Sequence, residues 1–388
     1  MKTLDRYIIR SFLLNYAALL VVLLLLYVLV DLIVELDEFT DAAGQLADGR
    51  GIGWWHAFGV VMVDWYLPQF LLLWVYMAGV IAIGAMGFTF AFMVRNRELV
   101  AMTASGVSMF RVAAPMILAA TLVLSLTIPA QEWLVPRLAY KLARDKSDVG
   151  RETIESFPVY YLPDATDEGS PDPGNLVSAR SFDAAKGELL GVTILERSAQ
   201  GLATARVTAE RAVWEPNDPA NEATGGAWRL LPVGRRVEAP DIERGQRQTT
   251  EAEQRTYPTD LSPTLVLAQQ ANSYARLLPV SALQTLRGSA AVSGKQRRDF
   301  TRIIWSRFSM LIVNVLLLVM SMPAFLIRVP MPMMLPSIKA AAVGLGGWGG
   351  AIATMMMSTG GLPPQTAAWL PVVLYLPTAV WMMSRVET

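Results

Sequence analysis

Long apolar runs fill the two ends of this chain, and an alternating pattern fills its middle. Crossing about 30 Å of hydrocarbon takes about 20 residues of helix. Tyr16 opens fifteen residues without a polar break, and residues 12–34 predict a first span. Residues 54–94 are too long for one straight crossing, and Asp64, Pro68 and Gln69 interrupt them. The pattern divides them into an interfacial helix, 54–66, with Trp54, Trp55 and Trp65 at headgroup level, and a second span, 69–94. Residues 107–130 predict a third span. The runs return after about Phe300, and 303–326, 337–358 and 367–384 predict spans four to six.

Between spans three and four the character changes. Residues 131–151 read as a polar, helical extension of span three. Residues 157–257 read as strands: 189–196, 203–214 and 228–238 alternate apolar and polar positions, with turn clusters at 163–175 and 216–226. A β-sandwich or jelly roll of about 100 residues fits, as does a curved open sheet. Residues 279–287 predict a short helix and 288–295 a linker. The expected fold is an α-helical polytopic membrane protein of six transmembrane helices with an inserted extracytoplasmic β-jellyroll domain. Its parts are 1–134 (spans one to three, with a loop at 95–106), 135–300 (the β domain and helical connectors) and 301–388 (spans four to six). No tandem repeat is present.

Composition agrees with this division. Of 388 residues, 53% are hydrophobic and 17% charged, too apolar a balance for an ordinary soluble domain. Lys and Arg number 33, as do Asp and Glu, so no net field points to nucleic acid. The absence of cysteine excludes disulfides and thiolate metal sites. A single histidine, His56, excludes a His-rich metal site. The basic, apolar N-terminus has no small-residue cleavage site after its run and reads as a retained span rather than a removed signal peptide.

Positive charge in short loops sets the orientation. With the N-terminus inside, the inner segments hold Lys2, Arg6, Arg10, Arg95, Arg97, Arg111, Arg328, Lys339 and Arg385, whereas the short outer loops hold Arg50. Both termini are therefore expected in the cytoplasm of a multi-pass inner-membrane protein, with the large domain periplasmic.

Few residues suggest chemistry. Residues 287–296 distantly resemble a phosphate loop, but five residues separate Gly288 from Gly294, Gln296 replaces the magnesium-binding Ser/Thr, and no strand precedes them. No ATPase or bound cofactor is expected in this chain. His56 stands beside two tryptophans, where an interfacial side chain is a plainer reading than a general base. No G-x-S-x-G or H-E-x-x-H motif occurs.

Three features stay open between static and functional readings. Glycines 344, 346, 347, 349 and 350 let helices approach closely, either as fixed packing or as a seam that parts for a lipid. Asp31 and Glu35 share one face at the outer end of span one, followed by Asp37 and Glu38; this is either a solvated helix end or a wet substrate path. Arg307 either snorkels outward or pairs with Asp31 or Glu35. The loop from Arg95 to Gly106 is a surface turn or a docking point for a soluble motor.

That loop carries a resemblance. Arg97-Glu98-Leu99-Val100-Ala101-Met102-Thr103-Ala104-Ser105-Gly106 resembles the signature loop of the LptF/LptG lipopolysaccharide-export permeases. Leu4-Asp5-Arg6-Tyr7-Ile8 is similar to the opening of the LptG branch. Leu189-Leu190-Gly191-Val192-Thr193-Ile194, Thr208-Ala209-Glu210-Arg211-Ala212-Val213-Trp214, Trp228-Arg229-Leu230, Leu261-Ser262-Pro263 and Trp305 through Phe308 also match. The resemblance covers nearly the whole chain.

It implies a permease that pairs with a second LptF/LptG-type permease on a cytoplasmic ABC ATPase dimer, which binds the ATP and magnesium. It implies a coupling helix in the loop, with Arg95, Arg97, Glu98, Met102, Ser105 and Gly106 at the ATPase and Glu98 the acidic contact. A lipid would enter between span one of one permease and span five of the other and pass to a periplasmic jellyroll bridge; the chain's own candidates for that path are Asp31, Glu35, Asp37, Glu38, Arg307, Gly346 and Gly350. One departure stands out: the LptG branch carries lysines at the outer end of span one, and this chain has Asp31, Asp37 and Glu38. A less anionic lipid, a partner's cation or a bridging divalent ion would each relieve the repulsion.

The reading is a permease that extracts lipopolysaccharide or a related envelope lipid. Its rivals are a membrane enzyme acting on envelope lipids, which needs a clustered set of catalytic side chains, and a mechanotransmitting subunit that moves no substrate. Topology gives a first test. In single-cysteine variants Arg97→Cys and Asp218→Cys, an impermeant thiol reagent applied to intact spheroplasts should label position 218 and spare 97. The reverse pattern sinks the six-span orientation.

Overall fold

A computed structural model describes residues 3–142, 157–164, 174–183, 186–198, 202–217, 226–238, 250–270, 274–288, 292, 294–325, 334–356 and 362–384. The chain is a polytopic helical protein with a β domain in its middle. Five helical stretches are long and apolar enough to cross a membrane: Thr3–Arg50, Trp54–Arg95, Met109–Ala139, Gly294–Ala324 and Pro364–Ser384. Where the sequence placed span five there is a 23-residue helix, Met334–Met356, long enough for a crossing but diluted in hydropathy by its glycines and Lys339.

The helices depart from the sequence pattern in instructive ways. Helix α1 (Thr3–Arg50) runs 48 residues, well past the expected end of span one, and bends at Glu35, where φ is −130° and ψ 27°. Helix α2 (Trp54–Arg95) is continuous for 42 residues with Pro68 inside it, so the expected interfacial helix and second span are one element. A proline removes one donor, and an otherwise apolar helix with neighbours to pack on absorbs the loss. Trp65 does not lie on a free face: it is 7% exposed, with its ring against Phe39.

After the short α3 (Glu98–Ala104) come α4 (Met109–Ser125), the single turn α5 (Thr127–Pro129), a π-helical turn at Ala130–Leu134, and α6 (Val135–Leu142). The expected helical extension is thus present to Leu142, and 143–151 lies outside the described residues.

Contacts divide the chain into two compact units. One holds Met1–Asp37, Tyr66–Val135 and Arg302–Thr388. Its core joins Ile8, Phe12 and Tyr16 of α1, Met86, Phe90 and Met93 of α2, Leu99 of α3, and Val112 and Met116 of α4. Val313 and Leu317 of α10 (Gly294–Ser321) and Ala340 and Ala351 of α11 (Met334–Met356) complete it. Polar ties cross it: Asn15 donates to Thr89 at 2.9 Å, and Trp74 donates to the Tyr16 hydroxyl at 3.1 Å.

The other unit holds Glu38–Trp65 and Pro136–Thr301. The segment 38–65, which the sequence grouped with the spans, packs here; Lys141 pairs with Asp64 at 2.5 Å. Its six strands are β1 (Phe157–Asp164), β2 (Asn175–Asp183), β3 (Glu188–Arg197), β4 (Ala203–Pro216), β5 (Gly226–Glu238) and β6 (Glu251–Thr259). They form one antiparallel sheet in sequential order. Among the described residues this is the open-sheet form of the β domain, without the crossovers that make a two-sheet jelly roll.

The buried positions change phase between Leu189 and Val192, three apart, at Gly191, whose φ of 63° is left-handed and suits glycine. Leu265 and Val266 of α7 (Pro263–Gln270), Leu277 of α8 (Tyr274–Leu277), and Leu283 and Leu286 of α9 (Val280–Gly288) are buried. The buried Trp228 indole donates to the Leu261 carbonyl at 3.0 Å, fastening β5 to the start of this helical part. The expected linker 288–295 is only partly described: 289–291 and 293 lie outside the described residues, and α10 already begins at Gly294.

Gly79 offers a test of the helical packing. A Cβ there would lie 2.3 Å from the Asn314 side-chain oxygen. Gly79→Ala should cost about 1–3 kcal/mol by overpacking, lowering the thermal midpoint in detergent, and Asn314→Ala in the same chain should recover most of it. An unchanged midpoint for Gly79→Ala would rule out this close α2–α10 approach.

Candidate functional site

The polar loop after α2 is built on one short helix. Arg97 precedes α3 in a left-handed conformation (φ 59°, ψ 15°), with no side chain capping the helix start. The exit is better made. The Gly106 N–H donates to Thr103 O and the Val107 N–H to Met102 O, both at 3.0 Å. With Gly106 at φ 84°, this is a Schellman ending, and Val107 and Met102, both packed against the core, supply its hydrophobic contact. Ser108 then caps α4, accepting from the Arg111 N–H at 3.4 Å.

Helix α3 therefore has two faces. Leu99 is 3% exposed and Met102 lies beside it against the core, at i and i+3. Val100, Ala101 and Ala104 face outward, Val100 at 60% exposure, flanked by the exposed Arg95, Arg97 and Ser105. Glu98 is not an outward charge on a loose loop. It accepts from the Tyr7 hydroxyl at 2.8 Å and from the Asn96 amide at 3.3 Å. Two residues earlier in α1, Asp5 accepts two bonds from Arg111, at 3.0 and 3.1 Å. The start of α1 is thus fastened to α3 and α4. Sequence reasoning assigned Tyr7, Asp5 and Arg111 no such role, because nothing local indicates contacts made 91 and 106 residues apart.

The candidates for a lipid path are dispersed. Asp31 accepts from the Tyr66 hydroxyl at 2.9 Å, and the Tyr27 ring meets Tyr66 edge-on. Glu35 is the bend in α1, and Asp37 and Glu38 are exposed just beyond it. Arg307 forms an ion pair with Glu132 at 2.7 Å, where the sequence offered Asp31 or Glu35. Glu132 belongs to the π turn, whose extra residue resets which side chains face a neighbour. The pair is largely buried: the Arg307 side chain is 5% exposed and that of Glu132 24%.

The glycines of α11 also divide. A Cβ on Gly344 would press on Ile83, one on Gly347 on Leu317, and one on Gly350 on the Tyr375 hydroxyl, whereas Gly346 meets nothing within 4 Å. Tyr375, on α12 (Pro364–Ser384), donates to the Gly347 carbonyl at 2.8 Å. Gly350 is thus packed within the chain, and Gly346 faces outward. Among the described residues no group of three or more His, Asp or Glu is arranged to hold a metal ion.

Residues 6–385 match the family described as "Lipopolysaccharide export system permease LptF/LptG". The chain belongs to the LptF/LptG family. The match takes in both helical parts and the β domain between them, so the whole fold is the family's. No curated protein matches the chain. Membership makes this LptF/LptG chain a multi-pass inner-membrane permease of a lipopolysaccharide export system, a transport subunit rather than an enzyme.

The buried ion pair yields a prediction about the bundle. Arg307→Met removes the ion pair on the Glu132 carboxylate; breaking a fully buried pair costs about 3–5 kcal/mol, and the cost should be smaller here, since Glu132 is 24% exposed. Arg307→Met with Glu132→Leu should restore most of the loss, read as folded yield and thermal midpoint. If Arg307→Met alone is as stable as the parent, the pair does not carry the packing of α10.

Proposed function

We propose that this permease draws lipopolysaccharide or a related envelope lipid out of the inner membrane, driven by a separate ABC-type ATPase dimer on the cytoplasmic side. The observation that carries this reading is α3. One of its faces is set into the bundle by Leu99 and Met102, and the other presents Val100, Ala101 and Ala104 between arginines. A short helix held this way passes a push on its outer face into α1, α2 and α4 without chemistry of its own. ATP and magnesium belong to the partner in this reading, and the chain itself uses no cofactor.

Both termini and residues 95–106 are cytoplasmic in this proposal, and the domain of residues 135–300 is periplasmic, between helical parts 1–134 and 301–388. A second permease of the family pairs with this one. The lipid enters sideways between α1 of one copy and α11 of the other. In support, the most apolar stretch of α1 has none of its residues buried within the chain, and Gly346 with Leu345 and Gly349 leaves an open face on α11. A periplasmic bridge of jellyroll domains receives the lipid. Asp31, Glu35, Asp37, Glu38, Arg307 and Gly350 are assigned to this path in the proposal.

Coupling is tested on the outer face of α3. Val100→Asp changes a side chain that is 60% exposed and touches no internal tie; Glu98→Lys reverses the charge next to it. Reversing a charge in a contact commonly costs about 2–5 kcal/mol, and Val100→Asp puts an unpaired carboxylate into an apolar contact, so both variants should insert in the membrane yet lose the ATPase on purification and stop lipid export. Tyr7→Phe, which removes the hydroxyl but keeps the Glu98 charge, should retain the ATPase. Normal ATPase recovery and export with Val100→Asp and Glu98→Lys would overturn docking at α3.

A further inference from the structure

Two polar ties join the first turns of α1 to the helices that follow the polar loop. The Tyr7 hydroxyl donates to the Glu98 carboxylate of α3 at 2.8 Å. One Arg111 nitrogen, Nη2, of α4 donates to both Asp5 carboxylate oxygens, at 3.0 and 3.1 Å. Asp5 and Tyr7 are two residues apart on a helix, so they leave α1 on different sides. Beside them Ile8 and Phe12 are buried in the same core as Leu99, Met109 and Val112. All of these residues lie in the first compact unit.

The ties are open to water. The Arg111 side chain is 46% exposed, that of Asp5 14%, and Tyr7 is 42% exposed. Exposed ion pairs add little stability, and the apolar contacts of Ile8, Phe12 and Leu99 stay in place when the polar ties are removed. What a charge-assisted bond adds is direction, here the angle between α1 and the pair α3–α4. Helices α2 and α4 flank α3 in sequence and follow it through the backbone; α1 meets it through side chains.

Beyond this clamp α1 is bare of its own chain. None of its most apolar stretch is buried, and Val22, Leu25 and Leu29 are 60%, 63% and 55% exposed. The helix is unbroken from Thr3 to the bend at Glu35. From Asp5 to Leu29 it runs about 36 Å, so a tilt of about 5° at the base moves Leu29 by about 3 Å.

We infer that Asp5, Tyr7 and Arg111 are positioning residues for transport: they make α1 tilt with α3, which displaces the apolar stretch of α1 where the lipid is proposed to enter. The inference rests on the proposed docking of the ATPase at α3 and names the residues that carry its push to the lipid-facing helix.

The test uses the whole complex, purified from the membrane with the ATPase and the second permease and returned to liposomes containing lipopolysaccharide. The parent is compared with Asp5→Asn plus Tyr7→Phe, with Arg111→Asp, which sets two carboxylates face to face, and with the exchange Asp5→Arg plus Arg111→Asp. Every variant should keep the ATPase, its ATP hydrolysis and the thermal midpoint. Lipid exported per ATP should fall several-fold in the first two and return in the exchange. The chain has no cysteine, so nitroxides at Leu25→Cys on α1 and Val380→Cys on α12, 63% and 65% exposed in the parent, report the motion directly. Their separation should change between the nucleotide-free and the vanadate-trapped complex in the parent and the exchange, and much less in Asp5→Asn plus Tyr7→Phe. Parental export per ATP in the first two variants overturns the inference. So does loss of the ATPase from them, which would mean that the ties shape the docking surface, and so does an exchange that restores nothing. If the parent itself brings down no ATPase, the docking reading fails and the inference with it, an outcome seen before any tie is changed.

Discussion

The hydrocarbon of the bilayer cannot hydrogen-bond a peptide group, and much of this structure follows from that one fact. Chain segments that cross must satisfy their own backbone, which leaves the helix as the form open to segments that do not close into a β-barrel. Side chains then have little to gain from hydrophobic transfer between helices, because lipid tails are as apolar as leucine, and close fit and polar ties hold the helices together instead. The helical unit shows both. Gly79 admits the Asn314 side chain, Gly347 admits Leu317, and Gly344 admits Ile83. The polar ties run from Asp5–Arg111 and Tyr7–Glu98 through Asn15–Thr89 and Tyr16–Trp74 to Asp31–Tyr66 and Glu132–Arg307.

The β domain answers to water instead, and its rules are the opposite. A strand with one wet face alternates, so β3, β4 and β5 were legible as strands almost to their ends. The last strand, β6, was harder to see. Its sequence, Glu-Ala-Glu-Gln-Arg-Thr-Tyr-Pro-Thr, buries little besides Tyr257, and its charges suit the edge it occupies. Helices α7 and α8 were missed for a related reason: each is short, and its buried residues have meaning only once the sheet and its neighbours are in place.

The helical part shows the same boundary between local and distant information. Apolar length is local, and it located every long helix. Pro68 is local too, but a proline reports a missing donor, not whether neighbours will hold the helix together across it; the division of α2 at that point followed from reading it in isolation. The loop at Arg95–Gly106 was legible as a polar element ending at a glycine, because the Schellman ending of α3 is written in consecutive residues. That Glu98 is held by Tyr7, or Arg307 by Glu132, was not legible, because each bond joins residues separated by 91 or 175 positions.

Those distant contacts also change what the acidic end of span one means. Read from sequence, Asp31, Glu35, Asp37 and Glu38 are four negative charges at the place where an anionic lipid is proposed to enter. In the structure they are not one field. Asp31 accepts a hydrogen bond from the Tyr66 hydroxyl, which turns its carboxylate toward α2. Glu35 lies at the bend, partly covered, while Asp37 and Glu38 lie beyond it, exposed to the side where solvent screens them. On the proposed path the exposed acids therefore lie past the bend, where solvent screens them, and the face of α1 before it presents exposed leucines and valines.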